Sequence, residues 1–531
     1  MFEAMELIVD GLLNVQTILA LIAGVVGGMV IGALPGLSAT MGVALLIPLT
    51  FGMNPIAGLT MLTAIYTSAV YGGSISAILI HTPGTPASAC TAIDGYQCTL
   101  QGRGLKALGV STVSSMIGGF ISAVALLILA PPLAQISLKF NAPEYFLIAI
   151  FGLTIIASLA ADSMVKGLAA GVFGLIVGTI GVDIMSGYPR FTFGFTSLEG
   201  GISLVPAMIG LFSLSQVMIQ VESMLKKDDT VIGDLRGRVT PTWAEFKKLI
   251  PTISRSSIIG VLVGILPGAG GDIASWVGYN ESKRFSKLPE EYGKGSLEGI
   301  AASESANNAV TGGALIPLLT LGIPGSATTA VLLGGLLIQG LQPGHELFTK
   351  HAGITYSVII GFLIANILMG IVGLLIAKYV VYVTKVPSGI LAPIIVVLSV
   401  VGSYAINNNM FDVYVMVLFG LIGYFMRKTG FATAPVVLGM ILGPMAESGF
   451  RRSLIMAKGD VIGYYFSRPL SVILMLLIVF SFLSPLLMKK YQFGVFVTSG
   501  VGGITTIYED SKKAIEKGGD RVSPHFVTNA I

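Results

Sequence analysis

Long apolar runs follow one another along most of this chain, and they limit its fold more than any other feature. Each run is about 16 to 28 residues long, which suits an α-helix that crosses about 30 Å of hydrocarbon, or part of it for the shortest runs. The runs lack the alternating pattern of a membrane β-barrel. The sequence therefore predicts an all-α polytopic membrane protein. The predicted helices cover residues 11–33, 37–52, 56–80, 105–131, 144–160, 166–187, 200–221, 255–281, 300–322, 326–341, 352–379, 387–403, 410–426, 431–446 and 468–488.

The composition fits a surface that faces lipid. Charged residues make up 11% of the chain and hydrophobic residues 53%, with a mean hydropathy of +0.85, whereas a soluble domain carries about 25% charged residues. This balance argues against soluble enzymes, disordered proteins and nucleic-acid binders, so we expect the lipid bilayer as a partner and no nucleic acid. Cys90 and Cys98 provide neither a disulfide framework nor a metal site.

Pro-Gly pairs interrupt three of the apolar stretches. They lie at Pro35-Gly36 in 11–52, Pro267-Gly268 in 255–281 and Pro324-Gly325 in 300–341. Because non-helical backbone at membrane depth is tolerated only inside protein or beside a wet cavity, we expect re-entrant hairpins for the first two stretches and a broken crossing helix for the third. This arrangement places 24 of the 31 basic residues in inside loops and 7 in outside loops, as the positive-inside rule predicts. The basic residues of 451–458 are the exception.

The two halves of the chain resemble each other. "GALPGLSATMGVALLIPLTF" from Gly32 matches "GILPGAGGDIASWVGYNESKRF" from Gly264, at an offset of 232. "YGGSISAILIHTPGTPAS" matches "TGGALIPLLTLGIPGSATT" with one extra residue before the Pro-Gly, where the offset is 241. The turn at 53–55 has no basic residue, whereas its counterpart carries three, so the two units should face opposite sides of the membrane. The alternative is that all Gly/Pro-rich membrane segments look alike.

These patterns predict two inverted-topology repeats with re-entrant hairpins and broken helices. The first membrane repeat covers 1–231, the second covers 232–490, and 491–531 form a polar C-terminal tail.

Helix breaks at corresponding positions of two repeats indicate a transporter's binding site. Helix ends that meet near the midplane offer free N–H groups and a partial positive charge, which suit carboxylate oxygens. Kinks that serve packing alone are the alternative. The candidate substrate-binding residues at and beside the four breaks are Pro35, Gly36, Ser38, Thr40, Thr82, Pro83, Gly84, Thr85, Gly268, Gly270, Gly271, Asn307, Asn308, Pro324, Gly325, Ser326 and Thr328.

Other polar residues in the apolar runs are weighed one by one. Asn307 and Asn308 are costly there unless paired, so they serve the site or join helices. Asp272 and Asn308 are the candidate Na⁺ contacts, although Asp272 could also be a solvated carboxylate at a hairpin tip. We expect Glu304 near the interface in a solvated or ion-paired role, and His81 to be a hydrogen-bonded structural residue rather than a proton relay.

Catalytic and nucleotide-binding motifs are absent from the sequence. It has no G-x-x-x-x-G-K-[ST] loop, no HExxH and no paired Cys/His set. No Ser/His/Asp arrangement supports a hydrolase. We therefore expect no enzyme, no bound cofactor and no direct use of ATP.

The broken segments also identify a family. With "IHTPGTPAS" and "ESANNAVTGGALIPLLTLGIPGSATTAVLLGGL" added to the motifs above, the chain closely resembles the large membrane subunit of the tripartite tricarboxylate transporters from about residue 10 to 490. This resemblance implies a small membrane subunit and a periplasmic solute-binding protein as partners. It also implies symport of citrate or other carboxylates with an ion, most often Na⁺, across the bacterial cell inner membrane.

The chain departs from the family pattern at three points. Ser38-Ala39 stands where Gly-Pro is expected, Asp272 stands where Thr is more usual, and the tail 491–531 has no counterpart with a function. An added carboxylate near an anion site would repel the substrate unless it binds a cation or points away. A C4-dicarboxylate or other organic-anion transporter, a passive anion channel and a non-transporting scaffold are therefore the alternatives.

Overall fold

A computed structural model describes residues 2–34, 36–159, 164–183, 185–223, 238–266, 270–380 and 388–479. Helices make up 80% of this part of the chain and strands almost none, so the prediction of an all-α protein is confirmed. The predicted tail 491–531 and the end of the last predicted helix lie outside the described residues. The helices are α1 (Phe2–Leu13), α2 (Val15–Ala33), α3 (Ala39–Thr50), α4 (Pro55–Ile80), α5 (Ala89–Leu100), α6 (Gly104–Ser137), α7 (Ala142–Leu159), α8 (Met164–Gly178), α9 (Leu204–Met208), α10 (Ser215–Ser223), α11 (Trp243–Ile265), α12 (Gly270–Phe285), α13 (Leu297–Leu321), α14 (Ala327–Ile338), α15 (His345–Phe348), α16 (Ala352–Ile376), α17 (Ser388–Asn407), α18 (Met410–Lys428), α19 (Ala434–Met456) and α20 (Val461–Phe466).

Several described helices are long and apolar enough to cross a membrane, which makes this a multi-pass membrane protein. By length and composition there are 8 such segments among the described residues. They are Val15–Ala33, Pro55–Ile80, Gly104–Ile136, Leu204–Glu222, Trp243–Ile265, Ala352–Ile376, Gly389–Asn407 and Met410–Lys428. In the segment Leu204–Glu222, a π-helical stretch, Ile209–Leu214, joins α9 to α10.

Two helices, α4 and α13, lie at the centre of the molecule. Every residue of α13 from Gly299 to Thr320 is buried, and α4 is buried along almost its whole length. Helix α4 packs against α2, while α13 packs against α6 and α11. Small residues allow these close approaches: a methyl group added at Gly28 of α2 would lie 2.7 Å from the carbonyl oxygen of Ile65.

Some predicted boundaries are wrong. The predicted helix 166–187 ends at Gly178, and a short antiparallel pair, β1 (Gly181–Val182) and β2 (Pro189–Arg190), follows it. Polar and turn-forming residues interrupt the apolar run here, so the chain turns back on itself. The predicted stretch 255–281 is divided between α11 and α12, in keeping with the predicted break, but α11 begins earlier than predicted because Thr242 and Glu245 form a capping box. The predicted helix 431–446 continues to Met456 as α19.

Four of the described helices were not predicted: α1 lies mostly before the first predicted run, α15 and α20 are short, and α5 lies between two predicted helices. Helix α5 has a mixed sequence, ACTAIDGYQCTL, that shows no long apolar run. It nevertheless lies inside the protein because its polar side chains have partners there. The Asp94 carboxylate accepts hydrogen bonds from the backbone N–H groups of Gly293, Gly295 and Ser296 at 2.8 to 2.9 Å, and from the Tyr279 hydroxyl at 2.8 Å.

Candidate functional site

The first predicted break separates α2 from α3. Helix α2 ends at Ala33, and Pro35 lies outside the described residues. Gly36 has a φ of 83°, a left-handed conformation that a side chain rarely adopts. Helix α3 then begins at Ala39, where the Ser38 hydroxyl accepts a hydrogen bond from the Met41 N–H at 3.2 Å.

The second predicted break follows α4. The helix ends at Ile80, and the next residue, His81, has a left-handed φ of 55° and stacks on the Tyr96 ring at 4.6 Å between centroids. The chain passes through Thr82, Pro83 and Gly84 and enters α5 through the single 3₁₀ turn Pro86–Ser88. The Thr85 N–H donates to the Ser88 hydroxyl at 3.3 Å and thereby fixes the start of this turn.

The third and fourth breaks follow α11 and α13. Residues 267–269, including the predicted site residue Gly268, lie outside the described part, and α12 begins at Gly270. Helix α13 ends at Leu321, and Pro324 and Gly325 are buried in the connection to α14. Ser326 caps α14: its hydroxyl accepts from the Thr329 N–H at 3.3 Å, and its N–H donates to Thr329 Oγ1 at 2.8 Å.

The structure brings the first and fourth breaks together. Thr40, in the first turn of α3, shares a hydrogen bond with Thr328, in the first turn of α14, at 2.8 Å between the Oγ1 atoms. The Ser326 hydroxyl lies 3.3 Å from the Tyr66 hydroxyl of α4. The N-termini of two helices therefore meet beside the central helix α4, although the residues involved are far apart in sequence.

The second and third breaks also meet. Gly271, in the first turn of α12, lies so close to Asn307 Oδ1 that an added methyl group would overlap with it, and the same methyl group would lie 3.3 Å from Ala87 Cβ. Two buried polar atoms here, Asn307 Nδ2 and Thr85 Oγ1, have no hydrogen-bond partner among the described residues. A buried donor without a partner costs about 1–3 kcal/mol, so a ligand that accepts a hydrogen bond from Asn307 would be favoured.

The contacts of the two halves recur at nearly constant offsets. A methyl group added at Gly72 of α4 would lie 2.7 Å from the Met29 carbonyl oxygen, and one added at Gly313 of α13 would lie 2.6 Å from that of Val261. The offsets are 241 between the glycines and 232 between their partners, the values read from the Pro-Gly motifs. The sequence comparison placed one extra residue between these glycines and the second Pro-Gly. The structural pairing of Gly72 with Gly313 needs no such residue, because its offset equals that of the matching Pro-Gly pair. The two inverted repeats and the re-entrant hairpins stay predictions.

Asn308 points away from the breaks into a buried network. Its Nδ2 donates to the Ser115 carbonyl oxygen at 2.9 Å and to Thr67 Oγ1 at 3.2 Å, and Thr67 Oγ1 donates to Asn366 Oδ1 at 2.6 Å. Asn308 thus joins α13 to α4, α6 and α16. Asp272 is exposed in the first turn of α12, and no contact links it to Asn308 among the described residues. Their role as Na⁺ contacts stays a prediction.

The expectation for Glu304 was wrong. Its side chain is completely buried in the middle of α13 and accepts hydrogen bonds only from hydroxyl groups, without an ion pair among the described residues. The sequence held one signal: Ser111 and Ser115 are spaced four residues apart, so they lie on one face of α6 and both reach this carboxylate.

A cleft of about 470 Å³ that contains charged side chains lies elsewhere, between the loop 179–203 and α19. Arg451 contacts the Asp183 carboxylate at 2.7 Å and the Glu447 carboxylate at 2.6 Å, and Arg190 contacts Glu447 at 2.7 Å. Three acids, Asp183, Glu199 and Glu447, and two arginines line this cleft, so it is not an electropositive anion site. The pairing also explains why basic Arg451 can occupy a region predicted to lie outside.

The fold and these paired breaks define a multi-pass membrane protein in which interrupted helices end against each other inside the core. Residues 18–438 match the model of the tripartite tricarboxylate transporter TctA family, and the chain belongs to this family. The predicted resemblance is confirmed, and the chain is a tricarboxylate transporter subunit rather than an enzyme.

Two relatives from Agrobacterium vitis are similar to this chain. The first, an uncharacterized 52.8 kDa protein in the TAR-I ttuC' 3' region, is 40% identical over 440 residues, which are 82% of this chain and 87% of the relative. The second, an uncharacterized protein in the TAR-II ttuC' 3' region, is 40% identical over 201 residues, which are 38% of this chain and 83% of the relative. No solved structure matches the chain.

Proposed function

We propose that this chain forms the pathway through which tricarboxylates or related carboxylates enter the cell across the inner membrane, driven by an ion gradient that we expect to be Na⁺. The observation that carries this proposal is the meeting of helix N-termini in two pairs, with the unpartnered Asn307 Nδ2 at one of them. Helix N-termini carry partial positive charge, and a buried amide donor adds a directed hydrogen bond. The partial positive charge and the amide hydrogen bond would each stabilise a bound carboxylate oxygen.

The mechanism follows from the position of the breaks. The substrate would be held by backbone N–H groups and by the hydroxyls of Ser38, Thr40, Ser326 and Thr328, which cap or begin helices α3 and α14. Movement of one half of the chain against the other would expose the bound carboxylate first to one side of the membrane and then to the other. The recurrence of contacts between α2/α4 and α11/α13 supports two such halves.

Membership of the family supports two partner proteins for this chain. A tripartite system supports a small membrane subunit beside this chain and a periplasmic solute-binding protein that delivers the carboxylate. A passive anion channel could use the same broken helices, and it would conduct without ion coupling. A C4-dicarboxylate or another organic anion could occupy the same donors, because these groups recognise a carboxylate and not the whole substrate.

Uptake into proteoliposomes tests the proposal. The vesicles contain the full chain with its small subunit, and the binding protein is supplied with labelled citrate, a C4-dicarboxylate or another carboxylate. We expect accumulation that requires the binding protein and an inward Na⁺ gradient. Uptake that merely equilibrates and ignores every ion gradient would support the channel instead. No uptake of any carboxylate, with correctly inserted protein, would contradict the proposed function.

A further inference from the structure

Glu304 is held in the protein core by three hydroxyl groups from two other helices. Thr91 Oγ1 of α5 donates to Oε1 at 2.5 Å, while Ser115 Oγ and Ser111 Oγ of α6 donate to Oε2 at 2.8 and 3.2 Å. Ser303, its neighbour on α13, contacts Thr91 Oγ1 at 2.9 Å. We call Glu304 with Thr91, Ser111 and Ser115 the Glu304 cage. All four side chains are buried, with exposures of 0 or 1%.

No positive side chain balances this carboxylate within the described residues. The titratable groups that face it are Tyr71 on α4 and Cys90 on α5, both ordinarily neutral. The nearest acid along α5, Asp94, is occupied by the N–H groups before α13 and by Tyr279. An isolated carboxylate away from water costs several kcal/mol, so such a group is stable when it binds a cation. Hydroxyl and carboxylate oxygens are ligands that a hard cation prefers.

A second feature lies one helical turn further along α13. Asn308 Oδ1 is completely buried and accepts no hydrogen bond from any described residue, and the hydroxyl of Ser114, next to Ser115 on α6, is also buried without a partner in the part of the chain that the structure describes. Both atoms are oxygens, a type of ligand that a hard cation prefers, and their residues lie one turn along α13 from Glu304 and next to Ser115 on α6. They are the groups expected to lack partners where a small cation, rather than a protein donor, is the missing neighbour.

The cage is also connected to the predicted carboxylate site. Ser115 donates its hydroxyl to Glu304 and accepts from Asn308 Nδ2 at its carbonyl oxygen, at 2.8 and 2.9 Å. Asn308 is adjacent to Asn307, whose side chain lies at the meeting of the second and third breaks. A change in the charge of Glu304 can therefore alter the position of α13 and of the substrate donors that it carries.

From these contacts we propose that the Glu304 cage is the binding site of the coupling ion, a monovalent cation that is either H⁺ or Na⁺. This inference rests on the proposed function, because it assigns a place to the ion that drives transport. The binding is reversible and makes no lasting covalent change: a proton would attach to one carboxylate oxygen, whereas Na⁺ would lie among the carboxylate and hydroxyl oxygens.

The test uses Glu304→Gln in the complete transporter. Glutamine keeps the shape and still accepts hydrogen bonds at its carbonyl oxygen, but it can neither take up a proton nor balance a cation. Gradient-driven accumulation and exchange of labelled for unlabelled carboxylate without a gradient are measured side by side. We expect Glu304→Gln to lose accumulation by at least about 10-fold and to keep exchange.

Glu298→Gln is the matched control. Glu298 lies on the same helix and also accepts from hydroxyls, those of Thr252 at 2.6 Å and Ser286 at 2.7 Å, but it is only half-buried at the start of α13. This variant should keep both accumulation and exchange. Equal accumulation by Glu304→Gln and the wild type would overturn the proposal.

Separate gradients identify the ion. Accumulation driven by Na⁺ at equal pH on both sides identifies Na⁺, and accumulation driven by a pH gradient without Na⁺ identifies H⁺. If Glu304→Gln does not fold, Thr91→Val provides the test. The proposal requires that this variant change the dependence of accumulation on ion concentration while keeping exchange. An unchanged dependence of accumulation on ion concentration would overturn the proposal.

A binding measurement keeps this inference separate from the proposed function. The melting temperature of the purified wild-type chain should change with Na⁺ concentration at constant pH, or with pH in the range where Asp183 stays ionised. This response should be lost in Glu304→Gln and present in Glu298→Gln. If no carboxylate is transported, this response still decides whether the cage binds a cation. A response that is the same in Glu304→Gln would overturn the site.

Discussion

At the scale of single residues, burial and direction decide what a polar side chain does. Asn307 and Asn308 are consecutive on α13, yet consecutive residues of a helix point about 100° apart. Asn307 faces Gly271 and a break, whereas Asn308 joins four helices. The sequence predicts that both residues need partners. It does not predict the direction in which each side chain points, or that hydroxyl groups surround Glu304. Those depend on which helices pack against α13.

Replacing Asn307 by Ala should weaken transport selectively. If Asn307 Nδ2 donates to the bound carboxylate, its loss removes a hydrogen bond to a charged group, which is about 1.5–3 kcal/mol, and lowers kcat/KM by about 10- to 100-fold. The measurement is the concentration dependence of uptake at equal amounts of inserted protein.

Thr320→Ala is the control for Asn307→Ala. Thr320 is buried on the same helix and donates to its own helix at the Ile316 carbonyl oxygen, 2.7 Å away, so uptake should be nearly unchanged. Similar uptake by Asn307→Ala and Thr320→Ala would remove Asn307 from the substrate site.

At the scale of elements, the sequence predicts where helices break, but it does not predict which breaks contact each other. The described breaks at Pro83-Gly84 and Pro324-Gly325 follow helices whose caps, His81 and Gly322, are left-handed. Proline alone does not end a helix here, since Pro317 lies inside α13. The pairing of the first break with the fourth joins Thr40 to Thr328 across the chain, and no local pattern encodes such a contact. Helix α5 and the β1–β2 hairpin were missed because neither has a long apolar or alternating run.

Close packing between α2 and α4 makes a clear prediction for two neighbouring glycines. Gly28→Ala should destabilise the protein by about 1–3 kcal/mol, because the added methyl would lie 2.7 Å from the Ile65 carbonyl oxygen and the helices must separate. Gly27→Ala, on the same helix, has no atom within 4 Å of its added methyl and should not destabilise. The melting temperatures of the two variants are compared in the same detergent. Equal values would show that the close approach of α2 to α4 does not contribute to stability.

At the scale of the whole molecule, ion pairs outside the predicted membrane core connect distant segments. Asp183, in the loop after α8, is held by Arg451 of α19 and lies 3.6 Å from Arg190. The Ser186 hydroxyl, and after it Arg451, hold the pKa of Asp183 well below its usual range. The sequence predicts the inside and outside loops from their charge, but it leaves the basic residues near 451 as an exception. The acidic partners of Arg451 are Asp183, more than 200 residues away, and Glu447, one turn away on α19.

The charge of Asp183 should stabilise the protein in a pH-dependent way. Because its pKa is lowered in the folded state, its contribution is present above the unfolded carboxyl pKa of about 4 and is lost as the pH falls through the folded value. Asp183→Asn should therefore lower the melting temperature at neutral pH, and the difference from the wild type should shrink below about pH 4.

Glu346→Gln provides the comparison for Asp183→Asn. Lys350 lowers the pKa of Glu346, but this pair is exposed, so its removal should change the melting temperature little. An Asp183→Asn effect that is equally small at neutral pH would mean that the loop is held by other contacts.

The central claim is that a carboxylate binds where the helix breaks meet, and substrate protection of a cysteine tests it most directly. Ser326→Cys is made in a chain whose two cysteines, Cys90 and Cys98, are replaced by Ala, and its alkylation rate is measured in transport-competent vesicles. We predict that a transported carboxylate slows alkylation at this position but not in Thr349→Cys, which is exposed outside the breaks. Equal alkylation rates with and without the transported carboxylate at Ser326→Cys would contradict the account.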